Sequence, residues 1–330
     1  MVTQRTAKVV LLAVFVLLLS GCFPPGANRA PTAEFTAEPR EGYDPLTVLF
    51  DADASYDPDG DLITYAWEFG DGTSGVGRAA SHTYAAGTYQ VTLRVVDPEG
   101  LMGTTTETID VRPVPAGYRV IRYEWPYEGR IHTWDLLLDE GLYETYHGRL
   151  RTSIGDLHDY AAYVNDPLDD PTLETLAEAL WNRAGRGFEP FVECALAFVQ
   201  GAIDYRVDPP TSEWPLYPIE TLFEKAGDCE DTTILFVSLL KARGYRSKIA
   251  FVDTDTDGTP DHVLALVSVP AAYLGEIRCS GQGLATVLWY SGDLFVIAET
   301  AVSGDPIPFG CDPWRLSADD VFTIWDIGPP

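Results

Sequence analysis

Gly227-Asp228-Cys229-Glu230-Asp231-Thr232-Thr233-Ile234-Leu235-Phe236-Val237-Ser238-Leu239-Leu240-Lys241-Ala242-Arg243-Gly244 is the stretch whose reading decides how the C-terminal part of the chain folds. Asp228 is a good N-cap, Asp231 follows three residues later as in a capping box, and Gly244 suits a helix C-terminus. Ile234, Leu235, Phe236, Val237, Leu239 and Leu240 leave no polar face, so the helix is expected to be buried. That places Cys229 rigidly in the first helical turn. A thiol there meets unpaired backbone N–H groups and the positive end of the helix dipole, which favours thiolate and can hold an oxyanion. The carboxylates of Asp228, Glu230 and Asp231 oppose this, so a reactive thiol requires a cationic partner.

His262 is the one histidine C-terminal to that helix. It lies between the apolar runs 249–252 and 263–267, which read as paired buried strands, and a third run, 294–298, leads into Glu299-Thr300. Helix with Cys, strand with His, strand with acid is an order that builds a nucleophile, a base and an orienting acid without sequence adjacency. The residues Phe198-Val199-Gln200, Asp204-Tyr205, Tyr217-Pro218-Ile219-Glu220-Thr221-Leu222, the 227–232 block, Asp261-His262 and Glu299-Thr300 together resemble the transglutaminase-like superfamily, particularly its prokaryotic cysteine-protease-like members. The resemblance covers roughly 118–330. It implies an α+β papain-like fold with Cys229 as nucleophile, His262 as base and then acid, and Glu299 where many members carry Asp. Asp293 is the substitute acid.

Upstream of this unit the pattern is different. Residues 31–112 show short alternating segments such as Val91, Leu93 and Val95, bounded by the turns Asp57-Pro58-Asp59-Gly60 and Gly70-Asp71-Gly72. Asp57-Pro58-Asp59-Gly60-Asp61, the 65–72 block, His82-Thr83-Tyr84 and Gly87-Thr88-Tyr89 resemble the PKD family. That resemblance implies an Ig-like all-β sandwich with Trp67 and Phe69 in its core, acting as a spacer or as a module for a glycan or protein ligand. His82 with Asp51, Asp53, Asp57, Asp59 and Asp61 reads as turn-forming carboxylates in the family's pattern, against a metal-site alternative. Helices are expected over a run opened by Asp170-Pro171 and over 191–205, and 118–150 reads as strands or an extended arm. Residues 113–117 form a linker.

At the N-terminus, Arg5 and Lys8 precede the apolar run 9–19, too short to span a bilayer comfortably and laid out as a signal peptide. Leu19-Ser20-Gly21-Cys22 resembles the bacterial lipoprotein box, which implies lipidation of Cys22, removal of the preceding residues and attachment to a membrane; 23–30 is then a tether. Export permits disulfides, and Cys279 with Cys311 is the candidate pair, leaving Cys194 as a buried thiol on an apolar helix. Asp253, Asp255, Asp257, Gly258 and Asp261 spell D-x-D-x-D-G-x-x-D just before His262. With the Thr259 carbonyl they could converge on Ca²⁺, although the EF-hand's closing Glu is absent; a plain acidic hairpin turn is the alternative. No other cofactor is expected. A net charge of −28 and a pI near 4.3 make nucleic acid a poor partner. Two functions remain open on these residues: a thiol enzyme acting on a protein or peptide amide, and a non-catalytic adhesion or scaffold protein.

Overall fold

The computed structural model describes residues 28–149, 160–207, 214–271, 273, 279, 284–302, 305–317 and 320–327. Cys22 and the apolar run before it lie outside them. The chain divides into two compact units after Arg112, the first an all-β sandwich and the second a mixed α+β unit.

The sandwich is built from β1 (Thr36–Glu38), β2 (Glu41–Tyr43), β3 (Leu46–Asp51), β4 (Thr64–Glu68), β5 (Ser74–Val76), β6 (Ala79–Tyr84), β7 (Gly87–Val96) and β8 (Met102–Arg112). One sheet runs β1-β3-β6 and the other β2-β8-β7-β4-β5. Alternation fixes the inner faces: Leu46, Val48 and Phe50 are buried while Thr47, Leu49 and Asp51 face out, and Val91, Leu93 and Val95 are buried from the facing sheet. Trp67 sits fully buried with Phe35 and Phe50 at ring centroids 5.0 and 5.5 Å away, and its indole N–H donates to the Gly77 carbonyl at 2.8 Å.

The second unit opens with a long hairpin, β9 (Tyr118–Tyr127) and β10 (Arg130–Asp139). Glu128 and Gly129, at φ 49° and 72°, form the two-residue turn with both central residues left-handed that suits the strand twist. Ile121, Tyr123, Trp125 and Tyr127 alternate inward, and Tyr123 and Trp125 pack on Phe198 at 5.3 and 5.2 Å. Four helices follow among the described residues: α1 (Glu140–His147), α2 (Tyr160–Val164), α3 (Asp170–Arg183) and α4 (Phe188–Ala202). The cap of α3 is Asp169 rather than Asp170, with Pro171 in its first turn. The second expected helix ends at Ala202, because Asp204–Tyr205 (β11) instead pairs in parallel with Ala226–Gly227 (β12). Between them lies α5 (Pro218–Glu224), and α6 (Cys229–Ala242) follows.

The sheet of this unit has the order β16-β17-β14-β13-β19, from β13 (Ser247–Val252), β14 (His262–Ser268), β16 (Val287–Tyr290), β17 (Asp293–Ala298) and β19 (Val321–Asp326), all antiparallel. The short strands β15 (Leu284–Ala285) and β18 (Cys311–Asp312) pair separately. Helix α6 is buried from Asp231 to Leu240, with α3, α4 and α5 on one side and β13 and β14 on the other. Removing water from that much apolar surface is what holds the start of α6 against the start of β14.

Candidate active site

The nucleophile position follows from local fit. At Gly227 a Cβ would lie 2.5 Å from the Cβ of Asp231, so only glycine lets the chain turn this tightly into the helix. Asp228 and Asp231 then cap each other: the Asp231 N–H donates to Asp228 Oδ1 at 3.4 Å and the Asp228 N–H to Asp231 Oδ2 at 3.2 Å. Asp231 also accepts from the Leu216 N–H at 2.6 Å, which ties the incoming loop to the helix start. Cys229 is the first helical residue and is half-buried.

Its sulfur donates to Glu230 Oε2 at 2.9 Å. Burial first, then the charges of Glu230 and Asp228, pushes the thiol well above its ordinary range, while the Val263 backbone N–H acts in the opposite sense. Asp228 is itself pushed up to about 8, chiefly by burial and then by Asp231 and Glu230. The helix end therefore does not win: the expected tendency towards thiolate is overridden at rest by desolvation and adjacent acids.

His262 opens β14, the strand packed against α6, and the amide of Val263 beside it acts on the sulfur. Its Nε2 meets Glu299 Oε2 at 2.8 Å, with the Glu299 side chain wholly buried. The second oxygen of Glu299 accepts from the Ala301 N–H at 2.7 Å, so both are committed. With Nε2 held by the carboxylate, Nδ1 is the ring nitrogen left to take a proton. Trp314 packs on the imidazole at 4.6 Å. Asp293, the substitute acid, lies at the far end of β17 and pairs with Arg246 at 2.8 Å. Glu299, not Asp293, faces the histidine.

Two supports lie at residues to which the sequence alone assigns no role. Gln200 on α4 donates from Nε2 to the Glu299 and Ile307 carbonyls at 2.6 and 3.0 Å, and Thr300 Oγ1 lies 3.1 and 2.8 Å from the hydroxyls of Thr232 and Thr233 on α6. The threonines join the strand end that carries the acid to the helix that carries the thiol, and Gln200 ties it to α4. Gln200 is a polar residue set in the apolar helix α4, and Thr300 follows the apolar strand β17; groups so placed need partners.

In the loop before His262, carboxylate oxygens of Asp253, Asp255 and Asp257 come within 4.8 Å of one another. Asp261 instead accepts from the Thr254 N–H and hydroxyl at 2.7 and 2.8 Å, and the Thr259 N–H donates to Asp257 Oδ1 at 2.8 Å. Three of the five residues expected around Ca²⁺ thus converge through their side chains. Cys279 and Cys311 are joined with a Cα separation of 5.5 Å, and Cys194 is a buried free thiol pushed up to about 12 by desolvation. In the sandwich, the carboxylates of Asp51, Asp57 and Asp71 accept backbone N–H groups two residues on, as turn formers do. His82 Nε2 pairs with Asp71 Oδ2 at 2.7 Å and stacks on Phe69.

Residues 28–112 match the family model of the PKD domain, and residues 175–282 match that of the transglutaminase-like superfamily. The chain thus carries a PKD domain followed by a transglutaminase-like core domain. Over 84 residues it is 37% identical to a microbial collagenase of Vibrio alginolyticus, a match covering 25% of this chain and 10% of that protein. This chain therefore spans about a tenth of the length of the curated relatives it matches. The crystal structure of the PKD1 domain of Vibrio anguillarum Epp is 39% identical, covering 26% of this chain and 99% of that one at a TM-score of 0.23. Red sea bream transglutaminase is 12% identical, covering 83% of this chain and 50% of that one at a TM-score of 0.25.

Proposed function

We propose that this chain is an exported, lipid-anchored thiol enzyme that breaks peptide or side-chain amides through a thioester on Cys229. The observation that carries the reading is the His262–Glu299 pair at 2.8 Å, its acid wholly buried, at the start of the strand packed against the helix of Cys229. In the proposed cycle Sγ attacks the carbonyl carbon while its proton passes to His262 Nδ1. The C–N bond breaks, the amine leaves with that proton, and the thioester remains. Water then attacks the acyl carbon and gives a proton to His262; the C–S bond breaks, the carboxylic acid leaves, and His262 returns that proton to Sγ, restoring the thiol. Glu299 favours the imidazolium formed on the way, and the first backbone N–H groups of α6 stand ready for the oxyanion. A thiol held neutral at rest fits proton removal during attack rather than a standing ion pair.

Water as acceptor gives a peptidase or amidase, and an amine gives a cross-linker; hydrolysis needs only solvent and is ranked first. A second reading, a non-catalytic adhesion or scaffold protein, draws on the acids that crowd Cys229. The sandwich would serve as a spacer or ligand-binding module in either case. The Cys279–Cys311 bond supports a location outside the reducing cytoplasm, and among the described residues no helix is long and apolar enough to cross a membrane. Attachment would rest on Cys22, and its replacement by Ala should release the protein from membranes. At the loop leading into His262, Asp253, Asp255 and Asp257 are proposed to take Ca²⁺ weakly. Activity unchanged by excess EDTA removes that ion. The enzyme reading is tested with 4-nitrophenyl acetate: stoichiometric acetylation of Cys229 in wild type, and none in Cys229→Ala, is expected. Absence of acetylation in wild type favours the scaffold.

A further inference from the structure

Acyl transfer does not require the contact between Cys229 and its own neighbour. Consecutive side chains on a helix do not face each other, so Glu230 reaches the sulfur only by curling back over the helix end. Such a contact can break by side-chain rotation, with no backbone movement. Glu230 is half-buried and therefore partly wetted, which leaves it open to an incoming group.

The charge balance at this point is one-sided. A carboxylate oxygen of Asp228, the Cys229 sulfur and a carboxylate oxygen of Glu230 lie within 4.8 Å of one another. From α6 the charges of Glu230 and Asp228 act on the sulfur, and from β14 the Val263 backbone N–H does, next to His262, itself paired with Glu299. Tyr160 of α2 and Tyr205 of β11 stand within electrostatic reach, Tyr205 being pushed up to about 12 by burial first and then by Cys229 and Asp228. Removing the thiol proton adds a negative charge to this group, and His262 supplies the one cation that the mechanism offers.

Resting on the enzyme reading above, we propose that Glu230 is a specificity-determining residue: it holds the Cys229 thiol in the Sγ–Oε2 hydrogen bond and releases it, its proton then passing to His262 Nδ1, when the acyl donor carries a spectator positive charge beside the scissile carbonyl. An ammonium or guanidinium placed there takes over Glu230 as its partner, frees the sulfur and offsets the charge it acquires. The spectator group forms and breaks no covalent bond. Neutral and anionic donors leave the contact in place and react slowly.

The test uses the whole mature protein in EDTA with two methanethiosulfonates of similar size, one bearing trimethylammonium and one sulfonate, beside neutral iodoacetamide. Modification of Cys229 is followed by peptide mapping. At low ionic strength the cationic reagent should react at least tenfold faster than the anionic one. Glu230→Gln should lower that ratio at least fivefold and raise the iodoacetamide rate several-fold, with Glu230→Ala changing both in the same direction. Asp293→Asn removes an equal charge at the far end of β17 and should leave the ratio unchanged. With donors, Glu230→Gln should lower kcat/KM for an amino-acid 4-nitrophenyl ester relative to its des-amino counterpart. A ratio unaltered in Glu230→Gln, or a rise in thiol reactivity on chelation alone, overturns the proposal. Loss of acetylation with the charge ratio intact would instead sink the enzyme reading, and the acyl-donor role with it, leaving only the control of Cys229 reactivity by Glu230.

Discussion

Among the described residues, each half of this molecule sets a histidine close against a carboxylate, 2.7 Å for His82–Asp71 in the sandwich and 2.8 Å for His262–Glu299 in the α+β unit. The environments differ. His82 stacks flat on Phe69 at 4.4 Å, and the nearby Thr73 hydroxyl is spent on Asp71 at 2.6 Å, so the pair closes a turn. His262 has its acid fully buried and opens the strand packed on the Cys229 helix. A His–carboxylate pair is thus no catalytic signature alone; the third group and the backbone N–H groups beside it decide its use.

The largest expected contrast comes from deleting the two imidazoles. His262→Ala should lower acyl transfer by about 10²- to 10⁴-fold, as loss of a general base does, and Cys229→Ala should abolish it. His82→Ala should leave activity intact and lower only the unfolding temperature of the sandwich. Loss of activity in His82→Ala would break the contrast.

Covalent cross-linking separates the halves in a second way. Residues 31–112 contain no cysteine, whereas Cys279–Cys311 closes a loop of sequence separation 32 in the other unit. Reduction should cost that unit about 3 to 4 kcal/mol by the chain-entropy argument and leave the sandwich transition in place. Calorimetry with and without reductant reads both.

Glu299→Gln sharpens the comparison of the acids. It keeps the shape of the side chain while removing the charge that favours imidazolium, and kcat should fall about 10²-fold. A fall confined to stability, with turnover kept, would make Glu299 as structural as Asp71.

The smallest effect is a pH dependence at Asp71. The Thr73 hydroxyl first, then the Thr73 N–H and His82, hold its carboxyl down at about 2 against burial. Because the folded value lies below the unfolded one, the stabilisation is present above about pH 3.9 and fades as pH falls towards 2. Wild type and Asp71→Asn should therefore differ in unfolding temperature at neutral pH and converge in acid.

Much of this was legible before any coordinates. The mutual caps of Asp228 and Asp231, and the apolar run behind them, mark the buried helix, since each is local chemistry written within a few residues. Alternation marks Val91, Leu93 and Val95. The β9–β10 hairpin was less clear because its inward residues are mostly aromatic and its turn is Glu-Gly rather than Asn-Gly, although Ile121, Tyr123, Trp125 and Tyr127 do alternate. Gln200 and Thr300 are visible as polar residues beside apolar runs, but their partners lie 67 to 107 residues away and nothing local says which ones they meet. The balance at Cys229 was also beyond the sequence. Its competing influences are written in the sequence, but their ranking depends on burial, which only the packed structure supplies.

The central claim is that His262 relieves Cys229 of its proton during attack. It is tested most directly by the rate of Cys229 acetylation by 4-nitrophenyl acetate across pH, in wild type beside His262→Ala. At neutral pH wild type should acetylate at least a hundredfold faster, with the variant recovering only in alkali as its unassisted thiol ionises. Coincident curves for the two proteins would contradict it.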